Sequence, residues 1–298
     1  MAEIKLFSLN EGVKECTSSE VVLEKELQTL IEQNMEIFFG VRFLKSEYVV
    51  TNGRMDSIGI DENNSPVIFE YKRSQNENVI NQGLFYLDWL LDHKADFKLL
   101  VIDKLGKEAA DNIDWSVPCV ICVAHDFTKY DMHAVNQMQR NIKLVSYRRY
   151  DNGMLLLEHL NTPIVKPIME NMGNENDTKN STQKTHLEKL AAISENMKNL
   201  YHSICDFIES LGDDIVSNQL KLYLAYKKVQ NMVCIEIYNK QIILFLKLNP
   251  ETVELENGFT RDMRSIGHYG TGDLQITIKN AADFERAKPL LERAYNEI

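Results

Sequence analysis

The stretch NTPIVKPIMENMGNENDTKNSTQK, from Asn161 to Lys184, most limits what this chain can become. Two prolines precede a run of Asn, Asp, Ser, Thr and Lys, a composition that cannot bury enough apolar surface to offset the entropy of ordering it. It reads as a linker and divides the 298 residues into a domain over 1–160, the linker 161–184 and a domain over 185–298. At roughly 150 residues per domain, each part can hold its own core. The longest apolar runs, Cys119 to Ala124 and Ile242 to Leu246, fall far short of the ~20 residues a spanning helix needs. No membrane association is therefore expected. The opening MAEIKLFSLNEG lacks the basic flank, apolar run and cleavage site of a signal peptide, so the expected address is cytoplasmic. Cys16, Cys119, Cys122, Cys205 and Cys234 are then expected as reduced thiols. Cys119 and Cys122 sit in an apolar run without the second ligand pair of a zinc site, and read as core.

Hydrophobic spacing organises the first domain. Leu23, Leu27, Leu30 and Phe38 predict a helix over about 19–39, with Ser19 as N-cap and Gly40 as C-cap. Strands are expected at 42–50, 54–61 and 66–73, then a helix at 78–93 with Ile80, Leu84, Leu87 and Leu91 on one face. Apolar runs at 98–103 and 117–124 read as buried strands, followed by a short helix near 130–139 and a hairpin turned at Asp151-Asn152-Gly153. Trp89 and Trp115 read as core. The second domain reads as one long helix at 185–211, strands near 219–228, 232–238, 242–248 and 274–279, and a closing helix at 281–296. The fold class is thus α/β (α+β), with a mixed central sheet flanked by helices in the first domain and a small α+β domain after the linker.

Chemistry gathers in GRMDSIGIDENNSPVIFEYKR. If Asp61 to Ser65 forms the loop of a hairpin, Ile60 faces Pro66, Ile58 faces Ile68 and Asp56 faces Glu70. Opposed side chains on one face have Cβ atoms about 4.5–5.5 Å apart, near enough for two carboxylates to share one hard cation. Lys72, two residues after Glu70, shares that face. Two like charges so close need compensation by a divalent ion or by the lysine. Mg2+, or Mn2+, suits Asp56 and Glu70 as ligands. Lys72 can orient or deprotonate a nucleophile, or stabilise developing charge. Phosphodiester hydrolysis is the reaction that fits.

The order helix, three strands, helix, strand, with Asp56 on the second strand and Glu70-x-Lys72 on the third, resembles the core of the PD-(D/E)XK nuclease superfamily, as in restriction endonucleases. Gln82-Gly-Leu-Phe-Tyr86, an i, i+4 pair on one helical face, resembles the Q-x3-Y motif of the RecB and lambda-exonuclease-like branch. The resemblance covers roughly residues 20–125. It implies a restriction-endonuclease-like N-terminal domain in which Gln82 and Tyr86 shape the site and contact DNA. It also implies a helical acid before the first strand, for which Glu26 is the first choice and Glu24 and Glu32 the substitutes. Met55 stands where the family's leading Pro would be. Together with LYLAYKK, ILFLKLNP, GHYGTGDLQITIK and ERAYNEI of the second domain, the chain resembles uncharacterised bacterial proteins that join a nuclease-like domain to a C-terminal domain of unknown function.

The expected function is therefore metal-dependent hydrolysis of nucleic acid, DNA ahead of RNA, by a Mg2+-dependent deoxyribonuclease. The alternative is a catalytically silent nucleic-acid- or protein-binding module on a nuclease fold. Arg54, Arg73 and Lys45 flank the proposed cluster and are the candidate phosphate contacts. Arg148 and Arg149, with Tyr147 and Tyr150, are a weaker basic-aromatic patch. The net charge of -11 argues against passive coating of nucleic acid. Residues 1–160 alone carry 17 Lys+Arg against 25 Asp+Glu, so polyanion binding has to be local. Gly267 to Gly272 reads as a glycine-shaped turn rather than a phosphate loop. A homodimer would form on an exposed sheet edge or along the 185–211 helix.

Overall fold

The computed structural model describes residues 4–9, 12–18, 24–72, 79–138, 140–151, 153–161 and 184–298. The expected linker lies almost wholly outside the described residues, as do Ser19 and Arg73. A short hairpin of β1 (Leu6–Ser8) and β2 (Lys14–Cys16), unforeseen in the sequence, precedes the main body. The expected helix at 19–39 is described as two, α1 (Glu24–Gln33) and α2 (Met35–Phe39), separated at Asn34. Gly40 ends the second with φ 64°, its N–H donating to the Glu36 carbonyl, a left-handed turn that glycine enters without steric cost.

Next come β3 (Val41–Val50), β4 (Gly53–Asp61), β5 (Pro66–Lys72), α3 (Val79–Asp92), α4 (Lys94–Leu105), α5 (Lys107–Asp111), β6 (Cys119–Ala124), α6 (Lys129–Gln137), β7 (Asn141–Arg149) and β8 (Leu155–His159). The six strands from β3 to β8 lie side by side in chain order. The pairs β5–β6 and β6–β7 are parallel and the outer pairs antiparallel. Strands buried on both faces carry continuous apolar runs, as PVIFEYK and CVICVA do here. On one face Leu27, Ile31, Met35 and Phe39 pack against Val67, Phe69, Tyr71 and Ile121. On the other, Ile80, Leu87, Leu90, Phe97 and Val101 cover Ile58, Ile68, Val120 and Leu144. Gly83 allows this second layer its close approach, since a Cβ there would lie 2.5 Å from Val120 Cγ1.

The strand expected at 98–103 is the interior of α4. Its buried residues, Phe97 and Val101, are one helical turn apart while Leu99 between them is exposed. A short apolar run does not reveal its period from composition alone. Trp89 and Trp115 pack at the margin of the core. All five cysteines are free and buried. Burial pushes the Cys119 thiol up to about 11 and Cys122 higher still, so both stay protonated. Tyr147 and Tyr150 are buried, which removes them as a stacking surface beside Arg148 and Arg149, the weaker of the two readings of that strand.

The second half begins with α7 (His186–Ala192) and α8 (Glu195–Ser210), where one long helix was expected. The chain turns extended at Ile193 and Ser194, and Ser194 caps α8 by accepting the Met197 N–H. After them come β9 (Val216–Gln219), β10 (Leu224–Lys227), β11 (Asn231–Tyr238), β12 (Gln241–Leu246), β13 (Thr260–Asp262), β14 (Leu274–Ile278) and α9 (Ala281–Glu297). These strands form an antiparallel sheet in the order β13-β14-β12-β11-β10-β9. Tyr201, Ile204 and Ile208 of α8 and Leu291 of α9 cover one face, so the apolar side of α8 is spent within its own unit. Gly270 and Gly272 in the 267–272 loop have positive φ, and Thr271 N–H donates to Cys234 Sγ. This loop packs against β11.

The other face of the second sheet, with Tyr223, Ala225, Cys234 and Phe245, buries Val117 of the first half. The β4–β5 turn is seated there. Asp61 shapes it by accepting the N–H groups of Asn63 and Ser65, both at 2.9 Å. Asn63 Oδ1 then accepts from Tyr223 Oη at 3.0 Å and Asn231 Nδ2 at 2.6 Å. Glu62 accepts the Asn231 N–H at 2.8 Å and pairs with Lys247 at 3.3 Å. The hairpin that carries the candidate chemistry is therefore anchored at its turn by the second half of the chain.

Candidate active site

The register expected from the sequence is observed: Ile60 faces Pro66 and Ile58 faces Ile68. The regular ladder ends at Ser57 and Phe69. Beyond it each strand is held by the other's carboxylate. Glu70 Oε1 accepts the Asp56 N–H at 3.3 Å, and Asp56 Oδ2 accepts the Tyr71 N–H at 2.9 Å. Side chains thus replace the main-chain rungs, and the two acids are drawn to the point where β4 and β5 part.

Glu70 is 2% exposed. Burial, and then the neighbouring Asp56 carboxylate, push its carboxyl up to about 9. Burial likewise raises Asp56 above the usual carboxylate range. Removing a charge from water favours the neutral acid, so Glu70 holds a proton at neutral pH unless a cation takes its place. Lys72 acts electrostatically on both carboxyls, and its ammonium is 3.7 Å from Glu24 Oε1 at the start of α1.

Asp56, Glu70 and Lys72 are therefore brought together, with Glu24 as the helical acid beside them. Glu26 is exposed on the opposite side of α1. The inward stripe is Leu27, Gln28 and Ile31, whereas Leu30, which guided the sequence reading, is 39% exposed. That rotation carries Glu24 inward and Glu26 out. Gln28 was missed altogether. It is buried, and its Nε2 donates to the Asp56 carbonyl at 2.8 Å and to Glu32 Oε1 at 2.9 Å, while Glu32 accepts from Ser57 Oγ at 2.6 Å. Glu24, Gln28 and Glu32, spaced by four on an otherwise apolar face, were the available signal.

Tyr86 is buried against the β3–β4 turn, where its Oη accepts the Arg54 N–H at 3.2 Å. Gln82, one helical turn earlier, is exposed. The exposed Arg54 guanidinium pairs with Glu47 at 2.5 Å, and the Lys45 ammonium stands 5.3 Å from the Tyr48 ring centroid.

Mg2+ binds through one or two carboxylates and keeps several waters. Asp56 and Glu70 fit that habit. They are two adjacent acids, Glu70 buried and Asp56 half-buried, whose mutual repulsion a cation would relieve, and each uses one oxygen on a backbone N–H. No group of three or more His, Cys, Asp or Glu side chains gathers as a metal nest among the described residues, so a cation held here would rest on these two carboxylates.

Residues 23–113, which contain the whole cluster, match the family described as the endonuclease NucS C-terminal domain. This stretch is a nuclease-like domain. Residues 184–297 match a domain of unknown function, DUF5655. Over 302 aligned residues the chain is 30% identical to an uncharacterized protein of Haemophilus influenzae, covering 99% of this chain and 100% of that protein. The chain belongs to the same family as that protein. Among solved structures, a repair endonuclease from Pyrococcus abyssi overlaps 48% of this chain at 16% identity and TM-score 0.29, and EndoMS in complex with double-stranded DNA overlaps 48% at 17% identity and TM-score 0.26. The chain spans 65% and 64% of those two, respectively. No helix among the described residues is long and apolar enough to cross a membrane.

Proposed function

We propose that this protein hydrolyses phosphodiester bonds of DNA with the help of a divalent cation, Mg2+ or Mn2+, held by Asp56 and Glu70. The observation that carries the reading is Glu70, almost wholly buried beside a second carboxylate and pushed up to about 9. Two acids so close, one buried and one half-buried, are a poor structural element, because both lose hydration and share the single ammonium of Lys72. It is a good ligand set. The family match over residues 23–113 supports the same chemistry. The bound cation would polarise a phosphoryl oxygen and lower the pKa of a bound water.

The protein's own groups do the rest. Asp56 and Glu70 fix the cation at the end of the β4–β5 ladder. Lys72 stands ready to orient the attacking water and offset charge on the phosphate. Glu24 pairs with the Lys72 ammonium from α1 and takes the place of the helical acid for which Glu26 was the first choice. Gln82 and Tyr86 belong to this reading as members of the Q-x3-Y branch, with Tyr86 supporting the Gly53–Arg54 backbone. Lys45, Arg54 and Arg73 are the proposed phosphate contacts, which position a strand without reading its sequence. Arg54 has to exchange Glu47 for a phosphate in doing so. Residues 1–160 form the nuclease unit in this reading.

The test is cleavage of labelled single- and double-stranded DNA and RNA in Mg2+, Mn2+ or EDTA, with Glu70→Ala and Lys72→Ala beside the wild type. DNA cutting that needs metal and is lost in both variants is the expected result. Nucleic-acid binding without cutting in any metal would overturn it and leave a silent binding module on this fold.

A further inference from the structure

Consecutive residues of a strand point to opposite faces of the sheet, yet Ser46 and Glu47 of β3 both meet α1. Ser46 Oγ accepts from Gln28 Nε2 at 3.2 Å, and Glu47 Oε1 accepts from the Lys25 ammonium at 3.1 Å. The backbone allows this at Glu47, which stands in the left-handed region with φ 52°. There the Cβ of any residue but glycine crowds the following carbonyl oxygen. β3 and β4 pair at Ser46 with Ser57 and again at Tyr48 with Met55, leaving Glu47 outside the regular ladder and opposite Asp56. Strained backbone persists only where its surroundings hold it, and such residues gather at functional sites.

The strain brings three charges to one point. The turned carboxylate receives Lys25 on one oxygen, and its other oxygen lies 2.5 Å from Arg54 Nε. Both cations are rooted beside the candidate site. Lys25 also reaches Gln28 Oε1 at 3.2 Å, and Gln28 in turn donates to the Asp56 carbonyl. Arg54 precedes Asp56 by two residues, with its N–H fixed on Tyr86 Oη. The Lys25 and Arg54 side chains are 64% and 61% exposed, so a ligand in solution can reach them. Glu47 is a poor match for the pair. Its Oε2 is enclosed and receives no well-directed hydrogen bond among the described residues, and exposed ion pairs contribute little net stability. A phosphodiester brings the same single charge without a strained residue to deliver it, and its oxygens suit a guanidinium fork and an ammonium alike.

We propose that Lys25 and Arg54 form a seat for one phosphate of the bound strand, and that Glu47 is its resident occupant, holding the two cations in place and yielding them when the strand arrives. Binding is then the exchange of one anion for another at a pair of cations already assembled. The inference rests on the proposed action on nucleic acid, from which it takes its ligand, and adds Lys25 and Glu47 to the residues that govern substrate binding.

The experiment is fluorescence anisotropy of a labelled single strand and a labelled duplex with the full chain in EDTA, beside steady-state cleavage of the same DNA in Mg2+, all at matched ionic strength. Lys25→Met and Arg54→Met should each weaken binding, or raise KM, about fivefold, the upper end for an exposed charge pair. Glu47→Gln should tighten binding about threefold, and Glu47→Gly, which adopts the left-handed turn without steric cost, should match it. In the Lys25→Met/Arg54→Met double variant the gain from Glu47→Gln should vanish, whereas a general loss of negative charge would act there too. Glu36→Gln, an equal charge change on exposed α2, should bind as the wild type. Circular dichroism verifies the fold of each variant. Affinity indifferent to Lys25 and Arg54, or a Glu47→Gln gain that survives without them, would overturn the seat even with cleavage in Mg2+ intact. A wild type that cuts in no metal, with binding that follows the expected pattern, would remove the nuclease reading and support the seat. Absence of all nucleic-acid binding would overturn both.

Discussion

Replacing Glu70 with Gln isolates the electrostatics of the candidate site. The carboxyl is pushed up to about 9 from 4.5 in the folded protein, so its contribution to stability is full below about pH 4.5 and drains away as pH rises toward 9. Each unit of pH across that window costs about 1.4 kcal/mol. Between pH 5 and pH 8 the ceiling is therefore roughly 4 kcal/mol, and solvent relaxation where β4 and β5 part should leave about 2 kcal/mol of it. Glutamine keeps the neutral shape and cannot ionise. In EDTA, Glu70→Gln should match the wild type at pH 5 and exceed it by about 2 kcal/mol at pH 8. Urea denaturation followed by tryptophan fluorescence reads this directly, because Trp89 and Trp115 both pack against the first core. Millimolar Mg2+ should restore the wild type at pH 8 and leave the variant unchanged. A stability difference that stays flat from pH 5 to pH 8 would refute the reasoning, since it would mean Glu70 ionises in the fold as easily as in the unfolded chain.

Three further perturbations probe the supports of the site. Gln28→Leu leaves the Asp56 carbonyl without its side-chain donor and Glu32 with Ser57 alone; cleavage should fall roughly 10- to 100-fold while circular dichroism stays native, and full activity would remove Gln28 as a positioning residue. Asn63→Ala removes the acceptor for Tyr223 and Asn231 and should cost roughly 2–4 kcal/mol, seen in scanning calorimetry as earlier melting, with the two halves separating into distinct transitions. Gly83→Ala sets a methyl 2.5 Å from Val120 Cγ1; a loss of about 1–3 kcal/mol is expected from chemical denaturation, and a neutral outcome would show that α3 can lift from β6 freely.

Much of the hairpin was legible before any coordinates. Ile58 and Ile68 had to face one core, and a turn rich in Asp and Asn left little freedom of register, so the approach of Asp56 to Glu70 followed. The acid on α1 was harder. Choosing between Glu24 and Glu26 required the rotation of the helix to within a third of a turn, and Leu30 pulled the choice the wrong way because it is apolar yet exposed. The run at 98–103 misled for a related reason: Leu99 and Ile102 are exposed apolar residues that mask the helical spacing of Phe97 and Val101. The break before α8 depends on one serine cap within a stretch that is otherwise helical in pattern. Docking of the second sheet on the β4–β5 turn could not be read at all, since hydrogen bonds between Asn63 and Asn231 leave no periodic trace.

The seating of that turn also sets a timetable for the newborn chain. Asn63 and its partner Asn231 are 168 residues apart. At a synthesis rate of about 5–20 residues per second, the turn leaves the ribosome roughly 10–30 s before its partner exists. Through that interval the side chains of Asn63 and Glu62 lack their partners Tyr223, Asn231 and Lys247, while the strands on either side already pair locally. The turn end of the hairpin is thus assembled late, after β10 and β11 have been made, and a chain arrested before β11 would carry the carboxylates without the brace that fixes the far end of their strands.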